Sequence, residues 1–387
     1  MAGRGERGMV GIVVHGSGGP LDVLGVPADA ALTPFAGSYR FVDLALATLA
    51  NSRVRAPGGT RDARGPQAVP PPHGRGGRAA RVLEALRRLS SGSRLGGINT
   101  VAVLSADHVL QVDLREMHGL HRDLGADITL VGLPVPFGER EPRTMLLAGR
   151  DHGLVEVRRA AATAVTSLSW AGDLLVSARA IPAVLAALAS DAPRDDVSVL
   201  TRLAGGLRVF AHDVVDGSLP GSGYAYWHEP TSIEAYYAAQ MDLCGQRPAL
   251  DLFNPAWPLP AAPGQFGPAR MGLDDGGHSA HAVSCLVADG VVMRGGYVAT
   301  SVLGRGVVVE SGAEVEDCLL MDGCHIGRQA RLRRAVVTPG AVVPEGAEIG
   351  WDVTPEWAQA RASGLTIVAP RLRLGATEER ESSAVGA

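Results

Sequence analysis

The stretch VVMRGGYVATSVLGRGVVVESGAEVEDCLLMDGCHIGRQARLRRAVVTPGAVVPEGAEI (residues 291–349) repeats its apolar residues with a step of 17 positions. Two apolar positions six residues apart recur in it: Val292 with Val298, Val309 with Val315, Ile326 with Leu332, and Val343 with Ile349. A third series with the same step consists of Leu286, Leu303, Leu320 and Val337. Three short faces per turn, with glycines such as Gly295, Gly312 and Gly346 at the corners, are typical of a left-handed parallel β-helix. We therefore predict a stack of coils in which each coil buries its inward residues against its neighbours.

The chain before this repeat alternates short apolar runs with amphipathic segments. Thr100–Ser105 (TVAVLS) and Asp127–Val135 (DITLVGLPV) are typical of buried parallel strands. Between them, Asp113–Gly125 predicts a helix that begins after an Asp113 N-cap and stops at Gly125. This strand–helix–strand order predicts a doubly wound α/β domain.

Composition divides the 387 residues into four segments. We predict an α/β domain over 9–245, a Pro-rich linker over 246–283, the β-helix over 284–352 and a C-terminal extension over 353–387. Within the first domain, the Pro-, Gly- and Arg-rich run Arg55–Arg78 predicts a mobile loop.

Charge and cysteine content exclude several classes of protein. The net charge of −4 does not indicate a nucleic-acid or membrane partner, and all 36 basic residues are Arg, so chemistry that needs a lysine amine is excluded. The four Cys residues lack CxxC spacing, which favours reduced thiols over a zinc site or a disulfide framework. Without a signal peptide or a long apolar run, the sequence predicts a cytoplasmic protein.

The segment His15–Asp43 opens like a phosphate-binding loop. The apolar run Met9–His15 predicts a strand, and glycines at a strand end let backbone N–H groups point at an anion. An ordinary turn is the alternative interpretation. The candidate nucleotide-binding glycines are Gly16, Gly18 and Gly19. However, no cationic side chain lies between Arg7 and Arg40.

Four motifs extend these observations: PFAGSYRFVDLALATLANS (34–52), SADHVLQVD (105–113), YWHEPTSIEAYYAAQMDL (226–243) and GRQARLRRAVVTPGAVVPEGAEIG (327–350). They resemble PFGGxYRxIDFxLSNxxNS, GADHxYxMD, YWRDVGTxxAYYxAxMDL and a β-helix segment of the bacterial ADP-glucose pyrophosphorylase family. These sugar nucleotidyltransferases make ADP-glucose for glycogen. The resemblance covers residues 9–352 and implies a Rossmann-type nucleotidyltransferase domain followed by a left-handed β-helix.

The family chemistry that this resemblance implies depends on Mg²⁺. Glucose 1-phosphate attacks the α-phosphorus of ATP, pyrophosphate leaves, and two carboxylates hold the metal ion. Asp107 matches the first metal-binding position, whereas Glu229 stands where the family has Asp. The extra methylene moves the carboxylate by roughly 1 Å, which can cost about 10²-fold in rate. Mg²⁺ is therefore expected as a cofactor only if the chain is active.

The family's phosphate-binding cations are missing from the matching positions. Pro20 replaces the Arg of the GxGTRL loop, and residues 28–31 (ADAA) replace the RAKP motif. The lysine that binds the sugar phosphate has no counterpart, although Arg158 or Arg159 in VEVRR lies near that position. We therefore predict a triphosphate pocket without its positive side chains. Losing three charge-assisted contacts should slow turnover by at least about 10³-fold.

The RLRR run matches a family segment that lines an effector pocket for anionic sugar phosphates between the two domains. This resemblance makes Arg40, Arg331, Arg333 and Arg334 candidate effector-binding residues, with an ordinary solvated face as the alternative. His325 could be compared with the catalytic His of β-helix acyltransferases, but those enzymes usually have more coils and no nucleotidyltransferase domain.

Three functional hypotheses follow. The first is a catalytically impaired, regulatory subunit of glycogen biosynthesis that binds ATP or a sugar phosphate and forms a homo- or hetero-oligomer with a catalytic paralogue. The second is an active glucose-1-phosphate adenylyltransferase that uses arginines in place of lysines. The third is a scaffold or sensor that binds no nucleotide.

Overall fold

A computed structural model describes residues 8–15, 21, 24, 30–54, 78–91, 97–135, 142–161, 168–187, 195–216, 219–222, 225–260, 266–351 and 358–370. The predicted loop glycines Gly16, Gly18 and Gly19, and the run 55–77, lie outside these residues. Within the described part of the chain, no helix has the length and apolar character needed to cross a membrane.

The N-terminal part combines strands with helices. Its strands are β1 (Met9–Val14), β2 (Pro34–Phe35), β3 (Tyr39–Arg40), β4 (Thr100–Ser105), β5 (Val109–Gln111), β6 (Ile128–Pro134), β7 (Arg143–Ala148), β8 (Leu154–Ala160), β9 (Leu168–Ser177), β10 (Val209–Asp213) and β11 (Tyr226–His228). Its helices are α1 (Phe41–Asn51), α2 (Arg78–Ser91), α3 (Leu114–Asp123), α4 (Ile181–Ala187), α5 (Asp196–Ala204) and α6 (Ile233–Asp242).

A mixed sheet in the order β1-β4-β9-β6-β10 forms the centre of this part. β1 pairs with β4 and β6 with β10 in parallel, whereas β9 runs antiparallel to both β4 and β6. α2, α4 and α5 cover one face of the sheet, and α1 and α3 cover the other. The predicted α/β class is therefore confirmed, because helices bury both faces of a largely apolar sheet.

Helix α3 shows how local sequence sets an element. The Asp113 side chain accepts a hydrogen bond from the Arg115 N–H at 3.0 Å, and the helix begins at Leu114. At the other end, Gly125 adopts φ +56°, and its N–H donates to the Arg122 carbonyl at 2.9 Å. The cap and the stop lie where the sequence predicts them, because both depend on residues within one turn.

The C-terminal part is a parallel β-helix built from three ladders of short strands. Its strands are β12 (Arg270–Gly272), β13 (Ala280–Val283), β14 (Leu286–Val287), β15 (Val292–Arg294), β16 (Gly296–Ala299), β17 (Val302–Leu303), β18 (Val308–Val309), β19 (Glu314–Glu316), β20 (Leu319–Leu320), β21 (His325–Ile326), β22 (Arg331–Arg333), β23 (Ala335–Val337), β24 (Val342–Val343), β25 (Glu348–Ile349), β26 (Ala358–Ala360) and β27 (Thr366–Val368). The coils begin at Arg270, inside the segment predicted as a linker, and β27 adds a strand beyond residue 352.

The predicted inward positions are confirmed in the middle of the β-helix and shifted in its first coils. Val298, Val315, Leu332 and Ile349 occupy one register and are buried. Gly295, Gly312 and Gly346 adopt φ values of +76°, +70° and +66°, as the corners require.

Two positions of the predicted series are wrong by one residue. Met293, not Val292, stacks on Val309, and Val287, not Leu286, stacks on Leu303. The steps at these two places are 16 residues, so a strict 17-residue step selects the outward neighbour. Both neighbours are apolar in each case, so the pattern alone does not mark the inward residue.

The two parts meet in a shared apolar cluster. Phe41 and Tyr236 of the N-terminal part pack there with Val302, Leu319 and Val336 of the β-helix. The Tyr237 hydroxyl donates to the Asp317 carbonyl at 2.7 Å across the same boundary. The β14-β17-β20-β23 face therefore packs against the α/β part.

Candidate functional site

The two predicted metal-binding carboxylates lie close together because of one strand pair. Asp107 follows β4, in the turn between β4 and β5, and Glu229 follows β11. β11 pairs antiparallel with β5, with His228 opposite Val109. This register brings residues 107 and 229, which are more than 100 positions apart in the sequence, to one edge of the sheet.

Three arginines from outside the family motifs bind these carboxylates. Arg81 in α2 pairs with the Asp107 carboxylate. Arg78, one helical turn earlier, pairs with Glu229 Oε1, and Arg143 at the start of β7 pairs with Glu229 Oε2. Since residues three apart lie on one face of a helix, α2 presents Arg78 and Arg81 side by side to the carboxylates.

The expectation of a pocket without positive side chains is therefore wrong for the described residues. The motif comparison placed no cation near Asp107, whereas the structure brings Arg78, Arg81 and Arg143 there. The arginines come from segments that the motifs do not include, and tertiary packing alone brings them to the site. Two arginines at i and i+3 at the start of an amphipathic segment were the available signal for Arg78 and Arg81.

The charge of Glu229 is fixed by its partners. Burial by itself would raise the pKa of Glu229, but Arg78 and Arg143 outweigh burial and hold the pKa below its ordinary value. The pKa of the Arg78 guanidinium is raised. Burial by itself would lower it, but the charges of Glu229 and then Asp107 outweigh burial. Glu229 is therefore an ionised carboxylate at neutral pH, with both of its oxygens bound to guanidinium groups.

A second buried ion pair lies directly behind the site. His108 Nε2 is 2.6 Å from Asp173 Oδ2, and both side chains are excluded from solvent. Burial by itself would lower the pKa of His108, but the Asp173 charge reverses this effect and raises the pKa. Asp173 also accepts a hydrogen bond from the Ser105 N–H at 2.7 Å, which ties the end of β4 to β9.

A cavity of about 180 Å³ opens beside the Glu229 carboxylate. Three guanidinium groups and two carboxylates contribute to its wall, together with hydroxyl side chains. The lining residues are Arg78, Pro142, Arg143, Thr144, Arg159, Ser169, Trp170, Asp196, Glu229 and Thr231. The two predicted sugar-phosphate residues are both exposed: Arg159 lines the cavity, and Arg158 lies 3.9 Å from Glu156.

As they are arranged, Asp107 and Glu229 do not fit Mg²⁺. A divalent cation needs carboxylate oxygens as ligands, and both Glu229 oxygens are paired with arginine. The described residues contain no cluster of three or more acidic, His or Cys side chains suited to a metal ion. Among the described residues, the chemistry of this site is therefore that of arginines paired with carboxylates.

The predicted effector arginines lie in separate places. Arg40 pairs with Asp43 at the start of α1, 2.8 Å away. Arg331 lies between Glu314 at 3.1 Å and Glu348 at 3.2 Å, and Arg333 is 3.7 Å from Glu316. This outer face of the β-helix is the β13-β16-β19-β22-β25 ladder, whose described residues are not part of the apolar cluster that joins the two parts.

The remaining predicted residues also have local partners. Arg334 donates to the Ser363 carbonyl at 3.4 Å, so it binds the C-terminal segment. His325, considered above as an acyltransferase-like residue, is partly exposed and lies 3.5 Å from Glu310. Neither side chain lines the cavity beside Glu229.

Comparison with known proteins supports the fold and the family. Residues 267–368 match a family model described as "GlmU-like, C-terminal hexapeptide". A protein from Frankia casuarinae is 30% identical over 281 residues, covering 69% of this chain and 67% of that protein. A protein from Anaeromyxobacter sp. (strain Fw109-5) is 27% identical over 403 residues, covering 94% of this chain and 98% of that protein. Both relatives are named glucose-1-phosphate adenylyltransferase.

Proposed function

Since the chain belongs to the glucose-1-phosphate adenylyltransferase family, we propose that it acts in ADP-glucose synthesis as a catalytically impaired, regulatory member of that family. One observation carries this proposal: both oxygens of Glu229 are bound to arginine guanidinium groups. A carboxylate in this state neutralises internal arginines and is not available to a metal ion.

The energetic cost of freeing Glu229 supports impaired catalysis. A hydrogen bond to a charged group contributes about 1.5–3 kcal/mol, so releasing two of them costs roughly 3–6 kcal/mol when no ligand oxygen takes the place of the carboxylate. At about 1.36 kcal/mol for each factor of ten, that cost corresponds to a rate lower by about two to four powers of ten.

A regulatory role requires a partner, and we propose an active paralogue or a second copy of this chain. The apolar cluster that joins the two parts of the molecule would transmit the effect of a bound ligand to the β-helix. Arg305 of the β-helix donates to the Ser38 carbonyl at this boundary, next to the Arg40–Asp43 pair. A partner bound to the β-helix could in this way respond to ligand binding in the α/β part.

The test is an assay of ADP-glucose formation from ATP and glucose 1-phosphate with Mg²⁺, using the full-length chain alone and mixed with an active paralogue. We expect the chain alone to be at least about 10³-fold slower than the paralogue. In the mixture we expect a changed response of the paralogue to sugar-phosphate effectors. Turnover by the chain alone at a rate similar to that of the paralogue would contradict the proposal.

A second candidate function is an active adenylyltransferase that uses arginines in place of lysines. The convergence of Arg78, Arg81 and Arg143 favours it, because guanidinium groups bind phosphate oxygens well. On this hypothesis the arginines leave the carboxylates when substrate binds, and Asp107→Asn abolishes turnover. Unchanged turnover in that variant would exclude this candidate.

A further inference from the structure

We propose that Glu229 is an internal counter-anion: its carboxylate occupies an oxyanion site between Arg78 and Arg143, and the phosphate group of a phosphate monoester displaces it without help from a divalent cation. The inference builds on the proposed function only in taking the cavity beside Glu229 as a ligand site. It adds to that function a gating residue and a metal-independent mode of binding.

The first support is the geometry of the two arginines. They come from different elements, α2 and β7, and each contacts a different oxygen of the same carboxylate. A guanidinium group presents parallel N–H donors that match the oxygen spacing of a carboxylate or of a phosphate. The site occupied by the Glu229 carboxylate therefore has the donors that a phosphate group requires.

The second support is the charge balance of the cavity wall. Arg78, Arg143 and Arg159 contribute three positive charges, and Glu229 and Asp196 contribute two negative charges. Arg159 has no carboxylate partner among the described residues. If Glu229 withdraws, the wall carries two net positive charges, which a dianionic phosphate monoester neutralises.

The third support is that the cavity contains other donors and has the right size. Thr144, Ser169 and Thr231 contribute side chains with hydroxyl groups. The volume of about 180 Å³ is about six times the share of one water molecule in the liquid. A cavity of this volume accommodates a phosphate group.

Glu229 is also placed where it can move. It lies in the connection between β11 and α6, and the β11–β5 ladder ends at His228. Its side chain can therefore leave Arg78 and Arg143 without any change in the backbone of β11. Asp196, the first residue of α5, differs because its Oδ1 accepts a hydrogen bond from the Ala79 N–H in α2 at 2.9 Å.

The test is calorimetric titration of the full-length protein with inorganic phosphate and with glucose 1-phosphate, in EDTA and then in Mg²⁺. Removing the internal competitor with Glu229→Gln should strengthen binding of both probes by about tenfold or more in EDTA. Glu316→Gln is the matched control, since it removes the same charge beside Arg333 on the outer face of the β-helix. The control should leave both affinities unchanged.

Two results would overturn the proposal. One is unchanged or weaker binding by Glu229→Gln, and the other is binding that occurs only with Mg²⁺. If Glu229→Gln does not fold, Arg159→Met tests the same site: we expect about fivefold weaker binding of phosphate in EDTA, and unchanged binding would reject the proposal. These binding experiments are independent of the turnover assay. Fast turnover would contradict only the proposed function, and unchanged phosphate binding by Glu229→Gln would contradict only the gate.

Discussion

Two clusters of arginine and carboxylate groups in this molecule use the same chemistry in different surroundings. In the cavity cluster, Arg143 and Glu229 expose only 14% and 12% of their side chains. In the ladder on the outer face of the β-helix, Arg333 and Glu316 expose 49% and 55%. Water and salt screen the ladder strongly, whereas the low exposure of Arg143 and Glu229 weakens that screening in the cavity cluster. Arginine–carboxylate pairs are therefore expected to contribute to stability and to ligand binding only in the cavity cluster.

The difference also concerns how each cluster arises. The ladder joins residues on neighbouring strands with a step of 17, so the repeat itself aligns Glu314, Arg331 and Glu348. The cavity cluster joins residues from α2, β7 and the turn after β11. The ladder is therefore a surface feature of the repeat, whereas the buried cavity cluster is a candidate binding site.

The largest expected effect comes from the ion pair that is most deeply buried among the described residues, His108 with Asp173. Asp173→Asn keeps an acceptor for the Ser105 N–H but leaves His108 without its counter-charge. Breaking a buried pair by removing one partner costs about 3–5 kcal/mol, so we expect that loss in the free energy of unfolding at pH 6. Urea unfolding measures it, with Glu316→Gln as the exposed control. A loss below about 1 kcal/mol would be no larger than that of an exposed ion pair, and would show that burial does not strengthen this pair.

The loss of stability in Asp173→Asn should also depend on pH. Because the pKa of His108 is raised in the folded state, its pair stabilises the fold fully below about pH 6.5 and loses that contribution as pH rises through the folded pKa. We therefore expect the gap in unfolding free energy between wild type and Asp173→Asn to narrow above pH 6.5. A gap that stays constant up to pH 9 would show that His108 is not charged in the folded protein.

A buried histidine with neutral partners should show the opposite pH dependence. His121 binds the hydroxyls of Thr129 and Ser177 at 2.8 and 3.0 Å, and burial lowers its pKa to about 4. Neutral His121 therefore stabilises the fold above pH 6.5, the pKa of His in the unfolded chain. As pH falls to about 4, the free energy of unfolding loses this contribution of about 3 kcal/mol. Urea unfolding of wild type and His121→Gln between pH 7 and 4 measures the difference. Parallel curves would contradict this prediction.

A smaller effect is expected within the cavity cluster itself. Arg143→Met removes one partner of Glu229 and leaves Arg78 in place. We expect a loss of about 2 kcal/mol in the free energy of unfolding, with little change in 1 M NaCl because the pair is shielded from salt. A loss that disappears in 1 M NaCl would show that salt screens this cluster as it screens the exposed ladder.

The smallest effect is expected on the ladder. Arg333→Met removes a pair whose side chains are about half exposed, so the free energy of unfolding should change by less than about 1 kcal/mol. That change should disappear in 1 M NaCl. A larger loss that persists in salt would show that the ladder arginines have a role beyond a solvated surface.

The sequence by itself determined the elements that depend on near neighbours. The 17-residue step predicted the coils, and Asp113 with Gly125 predicted the ends of α3, because a repeat and a cap involve residues within one turn or one coil. The step failed at Val292 and Leu286, where two adjacent apolar residues compete and only packing selects the inward one. The motifs also predicted that Asp107 and Glu229 lie near each other, and the β5–β11 pairing brings both to one edge of the sheet.

Only the tertiary structure decided which charges surround that site. Arg78, Arg81 and Arg143 are separated from Glu229 by 151, 148 and 86 positions, and no periodicity or motif relates them to it. Their pairing depends on how α2 and β7 pack at the edge of the sheet near Asp107. Electrostatic attraction depends on distance in space and on exclusion of water, neither of which a linear pattern encodes.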